Sequence, residues 1–421
     1  MHDLLEKYRD EFFRCMKCGG CQAVCPTYIE TRDESMVARG RLVLSESVIE
    51  GKLGLTDGLK ERLSSCLSCM ACSESCPTGV DVVKLLTAVR SRIVEERGLD
   101  PLSSVILRWI LKDEMALLSA AKLMALCARI YNSLPSDGLF GKLIPFTRGG
   151  TKRVIPPFGR RHLRRGLPEV IKADNPVLRV AFYTGCMTDL VYQDIGRAVI
   201  SVLKKGNVEV ILPKGQICCG APAYYIGDRK TAIELAKRNI EIFKTLKIDA
   251  IINCCATCGA MLKEIYPLLI DSKDSKLISD KTVDIQKFIA DRFEIFKPPL
   301  TPPFIKGGQG GFRVTYHDPC HLRRGQNIIS PPREILKNIP WIEYIEMEDA
   351  DRCCGGGGTF SLKYYDLSMS IGKYKADKIK KSRADVIATA CPSCQMQIGD
   401  ILNRAGIKAE VVHIVQLLDK Y

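Results

Sequence analysis

Cysteines carry the chemistry that can be read from this chain. Cys15, Cys18, Cys21 and Cys25 follow a C-x2-C-x2-C-x3-C-P spacing, and Cys66, Cys69, Cys72 and Cys76 repeat it. Three thiolates at that interval wrap three corners of an iron–sulfur cube, and the fourth, held at the start of the next helix, reaches the other cube. The spacing therefore predicts one 4Fe-4S cluster on Cys15, Cys18, Cys21 and Cys76, and a second on Cys66, Cys69, Cys72 and Cys25. Structural zinc favours two Cys-x-x-Cys pairs split by a longer loop, a poor match to this double motif. Pro26 and Pro77 suit the first turn of the helices that follow. Two such clusters close together carry single electrons and perform no bond chemistry.

A second constellation fills the C-terminal half. Cys186, the pair Cys218-Cys219 and Cys255/Cys258 recur as Cys320, Cys353-Cys354 and Cys391/Cys394. The offsets are 134 residues from Cys186 to Cys320, 135 from Cys219 to Cys354 and 136 from Cys258 to Cys394, which indicates duplication. Adjacent cysteines share one site only where the backbone turns sharply, and Gly220 and Gly355 supply that freedom. Five thiolates per set exceed what a cubane needs, pointing to an unusual cluster or a bridging thiolate. Cys254 reads as structural, and the isolated Cys127 as a core cysteine. Two roles stay open for His317 and His321, which flank Cys320: relaying a proton or tuning the site by a hydrogen bond, or capping and packing. The glycine run 355–358 lacks the strand–GxGxxG–helix context of a phosphate loop, so it reads as access to the cysteine site.

These cysteines need elements to hold them. Residues 178–184 and 312–316 read as strands that end at a cysteine, followed by helices near 189–205 and 332–339. Second strands are expected at 208–212 and 342–347, longer helices near 228–246 and 361–382, and apolar strands at 249–253 and 384–390 that run into Cys-x-x-Cys. Strands alternating with helices predict a mostly parallel α/β arrangement with cysteines at the strand ends. The fold class is α/β overall: an all-α two-cluster domain at 1–100, a helical segment and basic linker at 101–175, then α/β units at 176–297 and 312–421. The Pro/Gly-rich stretch 298–311 reads as an insert dispensable for chemistry.

With 421 residues the chain is long enough for two or three cores. Its 20 cysteines fall in tight groups except Cys127, and no signal peptide precedes them, which excludes a disulfide scaffold and implies a reducing compartment, the cytoplasm. The net charge of +14 would suit nucleic acid. Bound clusters of about −2 each would remove much of that excess, so no nucleic-acid partner is expected. The run Arg160-Arg161-His162-Leu163-Arg164-Arg165 reads as a solvated linker, with docking to a partner or lipid surface as the alternative. Charges interrupt the apolar stretch 105–131, which reads as amphipathic helix and not as a membrane span. Dinucleotide, c-type haem and nucleophile-elbow motifs are missing, so neither flavin nor haem is expected in this chain.

The segments 15–28, Ala38-Arg39-Gly40-Arg41, Thr184-Gly185-Cys186 and His317-Asp318-Pro319-Cys320-His321 resemble the CCG-motif iron–sulfur proteins. That family includes the iron–sulfur subunit of glycolate oxidase, the anaerobic glycerol-3-phosphate dehydrogenase C subunit, lactate-utilisation subunits and heterodisulfide reductase subunits. The domain order looks most like the glycolate oxidase subunit. The resemblance implies an oxidoreductase subunit that takes electrons from an FAD-dependent partner oxidising a 2-hydroxy acid. They would pass through two 4Fe-4S clusters to the CCG sites, and on to quinone or another acceptor. A peripheral position at the inner face of the membrane is compatible with that role. Both CCG sets are complete, as in heterodisulfide reductases, where the motif resembles a ligand set for a noncubane 4Fe-4S cluster. The alternative implied is therefore a catalytic subunit that reduces a disulfide.

Overall fold

The computed structural model describes residues 4–134, 147–148, 151–296 and 311–419. Apart from Gly311, the expected insert at 298–311 lies outside the described residues. Up to Arg97 the described residues form helices and turns only. Helices α1 (Gly20–Val24) and α2 (Pro26–Thr31) follow the first cysteine loop, and α3 (Ala38–Ile49) comes next. The short α4 (Ala71–Glu74) follows the second loop, and α5 (Val82–Arg97) ends the unit. Both loops turn by the same device. Lys17 and Ser68 have φ of 56° and 53°, and Gly19 and Met70 have φ of 84° and 62°. That left-handed backbone is free for Gly19 and costs about 1 kcal/mol at each of the other three.

Helices α6 (Pro101–Arg108) and α7 (Glu114–Ser133) lead out of this unit. The two α/β units follow. The first sheet holds β1 (Val170–Ile171), β2 (Leu178–Tyr183), β3 (Val208–Ile211), β4 (Ala250–Asn253) and β5 (Thr282–Asp284) in the order β1-β3-β2-β4-β5. All pair in parallel except β1, which runs antiparallel at the edge. The second sheet holds β6 (Phe312–His317), β7 (Ile342–Tyr344), β8 (Val386–Thr389) and β9 (Glu410–His413), wholly parallel, in the order β9-β8-β6-β7. The central strands are apolar on both faces, as a sheet covered on both sides requires. Even their starts match: Arg179 and Arg313 each donate a backbone N–H to an aspartate, Asp249 at 2.7 Å and Asp385 at 3.1 Å.

The expected strands and helices of both repeats are present within a few residues. Three strands were not anticipated: β1 and the short fourth strands β5 and β9, which carry too few residues for a readable alternation.

The two units pack about a pseudo-twofold axis. Among their helices are, in chain order, α8 (Gly185–Leu190), α9 (Gln193–Lys205), α10 (Ala256–Ala260), α11 (Ile285–Ala290), α12 (Cys320–Gln326), α13 (Ser330–Lys337), α14 (Tyr365–Ser382), α15 (Pro392–Ala405) and α16 (Ile414–Asp419). Helix α9 meets α16 while its counterpart α13 meets α11, and α10 meets α12 while α15 meets α8. Each Cys-x-x-Cys helix therefore leans on the helix that carries the first cysteine of the other repeat. Residues from both sheets share one apolar core, including Val180, Ile252, Val314 and Ala388.

The segment before β1 is not a solvated linker. His162, Leu163 and Arg164 are buried. His162 Nδ1 lies 2.6 Å from Asp189, and its Nε2–H donates to the Glu114 carbonyl at 3.1 Å. Arg164 pairs with both Glu114 and Asp189, and Arg165 with Glu114. Acidic partners distant in sequence turned this basic run into a clasp that fixes the start of α7. Further along, Arg153 donates to the Ser361 carbonyl at 2.9 Å, tying the same segment to the second α/β unit.

Candidate metal centres

Cys25 sits at the N-terminus of α2, where Pro26 occupies the first turn. That placement carries it across to the second loop. Cys25, Cys66, Cys69 and Cys72 line one cavity, with Arg41 and Leu86 in its wall. Cys15, Cys21 and Cys76 rest against the apolar core of the same unit, and Cys18 is exposed. The Cys76 sulfur accepts the Val80 N–H at 3.4 Å, and the Cys66 sulfur accepts the Ser68 N–H at 3.4 Å. Burial pushes the Cys21 and Cys72 thiols up, reinforced by neighbouring thiolates. Burial would push Cys66 up too, but the guanidinium charges of Arg41 and Arg90 hold it below the usual thiol value.

Those two arginines were not singled out as site residues from sequence. Arg41, fully buried, donates to the Arg62 carbonyl at 2.8 Å and to Ser65 Oγ at 3.2 Å. Arg90 donates to the Cys66 carbonyl at 3.1 Å and the Tyr225 carbonyl at 2.8 Å. Two buried cations beside thiols are costly unless negative charge accompanies them, and a thiolate-ligated cluster supplies it. The Ala38-Arg39-Gly40-Arg41 segment held the signal: a Cβ on Gly40 would lie 1.9 Å from the Glu34 carbonyl oxygen, so only glycine lets α3 approach closely enough to bury Arg41.

From this cavity the thiols continue into the α/β units. Cys69 packs together with Cys320 and Cys353. Beside this contact His321 joins three units. Its Nε2–H donates to the Ser68 carbonyl at 3.0 Å, Nδ1 accepts from Thr257 Oγ1 at 3.2 Å, and its ring lies 5.1 Å from that of Tyr225. Burial lowers its pKa, so it is neutral, with the tautomer fixed by the carbonyl. Of the two roles left open for His321, the structure supports packing.

In each cysteine set the thiols follow one another in a row, each close enough to the next to affect its ionisation. In the first repeat Cys186 meets Cys218, Cys218 meets Cys219, Cys219 meets Cys258, and Cys258 meets Cys255. The second repeats this order through Cys320, Cys353, Cys354, Cys394 and Cys391. Cys255 and Cys391 then meet each other. All are buried except Cys186 and Cys394, which are half-buried.

The donor chemistry fits iron–sulfur clusters. The neighbouring thiols of Cys218 and Cys258 hold Cys219 well below the usual thiol value, and those of Cys353 and Cys394 do the same for Cys354. Backbone N–H groups of Gly220 and Ala221 donate to the adjacent pair in the first repeat, and those of Ser393 and Cys394 donate to Cys391. Donors of this kind favour thiolates, and soft sulfur ligands select iron–sulfur clusters, zinc or Cu(I) over hard cations. The positive φ of Gly220, 88°, and of Gly355, 86°, turns the backbone after each Cys-Cys pair.

Cys254 lies outside these rows. Its thiol meets Thr188 Oγ1 at 3.4 Å, burial pushes it up to about 12, and its carbonyl accepts from His413 Nε2 at 3.0 Å. Cys127, expected in the core, is exposed, because α7 turns that face outward. His317 is fully buried at the end of β6 beside Cys354 and Cys394. No helix among the described residues is long and apolar enough to cross a membrane.

Comparison with known proteins agrees with this geometry. The cysteine-rich (CCG) domain matches residues 180–263 and again 314–399, and a 4Fe-4S dicluster domain matches residues 11–80. The chain is 31% identical to the probable glycolate oxidase iron-sulfur subunit of Bacillus subtilis, over 97% of this chain and 93% of that protein. It is 32% identical to one subunit of the fumarate reductase (CoM/CoB) of Methanothermobacter marburgensis, over 85% of this chain and 72% of that protein. It is 25% identical to one subunit of the dihydromethanophenazine:CoB–CoM heterodisulfide reductase of Methanosarcina acetivorans, over 95% and 91% respectively. A hypothetical protein from Helicobacter pylori shares the fold, with a TM-score of 0.54 at 12% identity over 99% of this chain and 75% of that one. With its cysteine-rich repeats and dicluster domain matched in order, and a relative this similar along nearly the whole length, the chain belongs to the CCG family of iron–sulfur oxidoreductase subunits.

Proposed function

We propose that this chain is the electron-transfer subunit of a glycolate oxidase-like 2-hydroxy acid dehydrogenase complex, receiving electrons from an FAD-dependent partner and delivering them to quinone or another acceptor. The observation that carries this reading is the unbroken row of thiols from Cys69, through the second cysteine set, to Cys186 at the far end of the first. In this reading Cys15, Cys18, Cys21 and Cys76 hold one 4Fe-4S cluster, and Cys25, Cys66, Cys69 and Cys72 another. The five thiols of each CCG set hold a further cluster of noncubane type. Bound clusters of this kind supply one-electron transfer without moving atoms. The chain provides countercharge through Arg41 and Arg90, excludes water from the CCG sites by burying every thiol there but Cys186 and Cys394, and holds its units together through His321.

The surface supports a membrane-side acceptor. Leu102, Trp109, Leu123 and Leu126 are exposed on and between α6 and α7, with Trp109 at 72% exposure, and Lys122 and Arg129 are exposed beside them. An apolar face bordered by cations suits peripheral binding to anionic lipid, where quinone is held.

One observation favours a second reading, reduction of a disulfide at a CCG site: both sets are complete, and Cys186 and Cys394 are reachable from solvent. Anaerobic isolation of the tagged chain with its native partners, followed by addition of glycolate or D-lactate, separates the two. Bleaching of cluster absorbance by either acid is expected. A flavin-free preparation that ignores both acids, but whose reduced clusters are oxidised by a disulfide, overturns the first reading in favour of the second.

A further inference from the structure

The two cysteine sets are alike in their thiols and differ in what stands behind them. Three residues before the first cysteine, the last position of the strand is Tyr183 in β2 and His317 in β6. Tyr183 is fully committed: its hydroxyl donates to the Ile217 carbonyl at 2.6 Å, and its ring packs 5.8 Å from Phe243. His317 is buried with 0% exposure, and neither ring nitrogen has a hydrogen-bond partner among the described residues. Its ring stands beside the Cys354 sulfur without making a hydrogen bond to it. A donor nitrogen of His317 and the sulfurs of Cys354 and Cys394 all lie within 4.8 Å of one another.

An imidazole buried with both nitrogens unpaired has given up its hydrogen bonds to water without replacement, which is unfavourable. Buried polar groups are satisfied almost without exception, so a partner is called for at this place. The other described histidines have theirs. His162 reaches Asp189 and the Glu114 carbonyl, His321 reaches Ser68 and Thr257, and His413 reaches Cys254 and the Val415 N–H. Among the described histidines, only His317 stands in a group with two thiols that are themselves metal ligands by type. Imidazole nitrogen and thiolate sulfur bind iron and zinc at similar distances, about 2.0–2.3 Å, and donors within 4.8 Å need only small side-chain movements to meet at one metal atom.

We infer that His317 is a nitrogen ligand to a metal atom held by Cys354 and Cys394, so that the second cysteine set is a mixed sulfur–nitrogen centre while the first is all-sulfur. The inference rests on the reading that the second set holds iron. It gives the two centres different electronic properties from near-identical cysteine frames, because a neutral imidazole in place of a thiolate leaves less negative charge on the metal and raises its potential.

The test uses the full chain, purified anaerobically with its native clusters and enriched in 57Fe and in 15N-histidine. Iron content and acid-labile sulfide come first. A second set without iron, recognised because Cys394→Ser then removes none, overturns the functional reading and the inference together. With iron present, the Mössbauer subspectrum removed by Cys394→Ser and retained in Cys186→Ser belongs to the second centre. One of its iron subsites is expected to differ from an all-thiolate site and to disappear or shift in His317→Phe. In any paramagnetic state of that centre, a nitrogen coupling of the size of a direct ligand should change with the isotope and vanish in His317→Phe. Iron in the second centre with only all-sulfur subsites in the unmutated protein overturns the inference and leaves the functional reading standing. The unmutated, labelled chain decides the matter even if His317→Phe fails to fold.

Discussion

The thiol of Cys255 lies beside that of Cys391, its own counterpart in the second repeat. Duplication followed by packing about a pseudo-twofold axis brings equivalent residues to that axis. Here the equivalent residues are the first cysteines of each Cys-x-x-Cys pair. The two sets thus touch at one point, and the second alone touches the ferredoxin-type loops, through Cys69.

If that contact is the link between the two sets, Cys255→Ala should slow electron exchange between them while leaving the loop clusters intact. A slowing of about tenfold, equal to ~1.4 kcal/mol of barrier, is expected in stopped-flow reduction. Unchanged rates would show that exchange takes another route.

Cys25→Ser tests the crossing of the N-terminal cysteines. Cys25 lines a cavity with Cys66, Cys69 and Cys72 and not with its own sequence neighbours. The variant should lose the electron paramagnetic resonance signal that Cys72→Ser also loses, and keep the one that Cys18→Ser loses. The opposite pattern would return Cys25 to its own loop.

Arg41 supplies buried positive charge beside Cys66. Arg41→Met should therefore lower the potential of the cluster on the second loop, since an added electron loses a nearby cation. It should also destabilise the fold by about 2–4 kcal/mol through the lost hydrogen bonds to Arg62, Ser65 and Thr27 and their unpaired acceptors. Redox titration and thermal unfolding read the two effects separately. A potential that stays fixed while stability falls would reduce Arg41 to a structural residue.

Acid should release helix α7. Burial alone would raise the Glu114 pKa, but its bond to Arg165 and the Arg164 charge hold it below the usual carboxylate range. A depressed carboxyl stabilises the fold above its unfolded pKa of about 4.3, and that contribution is lost as pH falls through the lower folded value. Protease cleavage within 114–133 should rise over that acid window, and Glu114→Gln should show the same rise at neutral pH. Protection in the variant equal to the unmutated chain would remove Glu114 from the clasp.

The exposed residues of α6 and α7 give a last prediction. Trp109→Glu should cut binding to vesicles that contain anionic lipid by about tenfold or more, with iron content unchanged. Equal binding would place the lipid-facing surface elsewhere.

The spacing of the cysteines determined a great deal unaided. Short-range intervals are set by how a loop wraps a cube, so the ferredoxin-type motifs and the duplicated sets were legible residue by residue, and the cross-loop grouping of Cys25 with Cys66, Cys69 and Cys72 followed from the same rule. The repeat of strand, cysteine and helix was legible because parallel strands are apolar runs of fixed length. Contacts between residues far apart in sequence left no such trace. The basic run at 160–165 looked like solvated linker because its partners, Glu114 and Asp189, lie elsewhere in the chain. Cys127 looked like a core residue because composition does not reveal which face of α7 has a neighbour. His317 and His321 both flank Cys320 closely in sequence, yet the end of β6 buries one beside thiols while the first turn of α12 hands the other to Ser68 and Thr257. The order in which the thiol groups touch belongs to the tertiary structure for the same reason: it depends on an axis that exists only once two repeats have packed, and packing is decided by surfaces that no local spacing encodes.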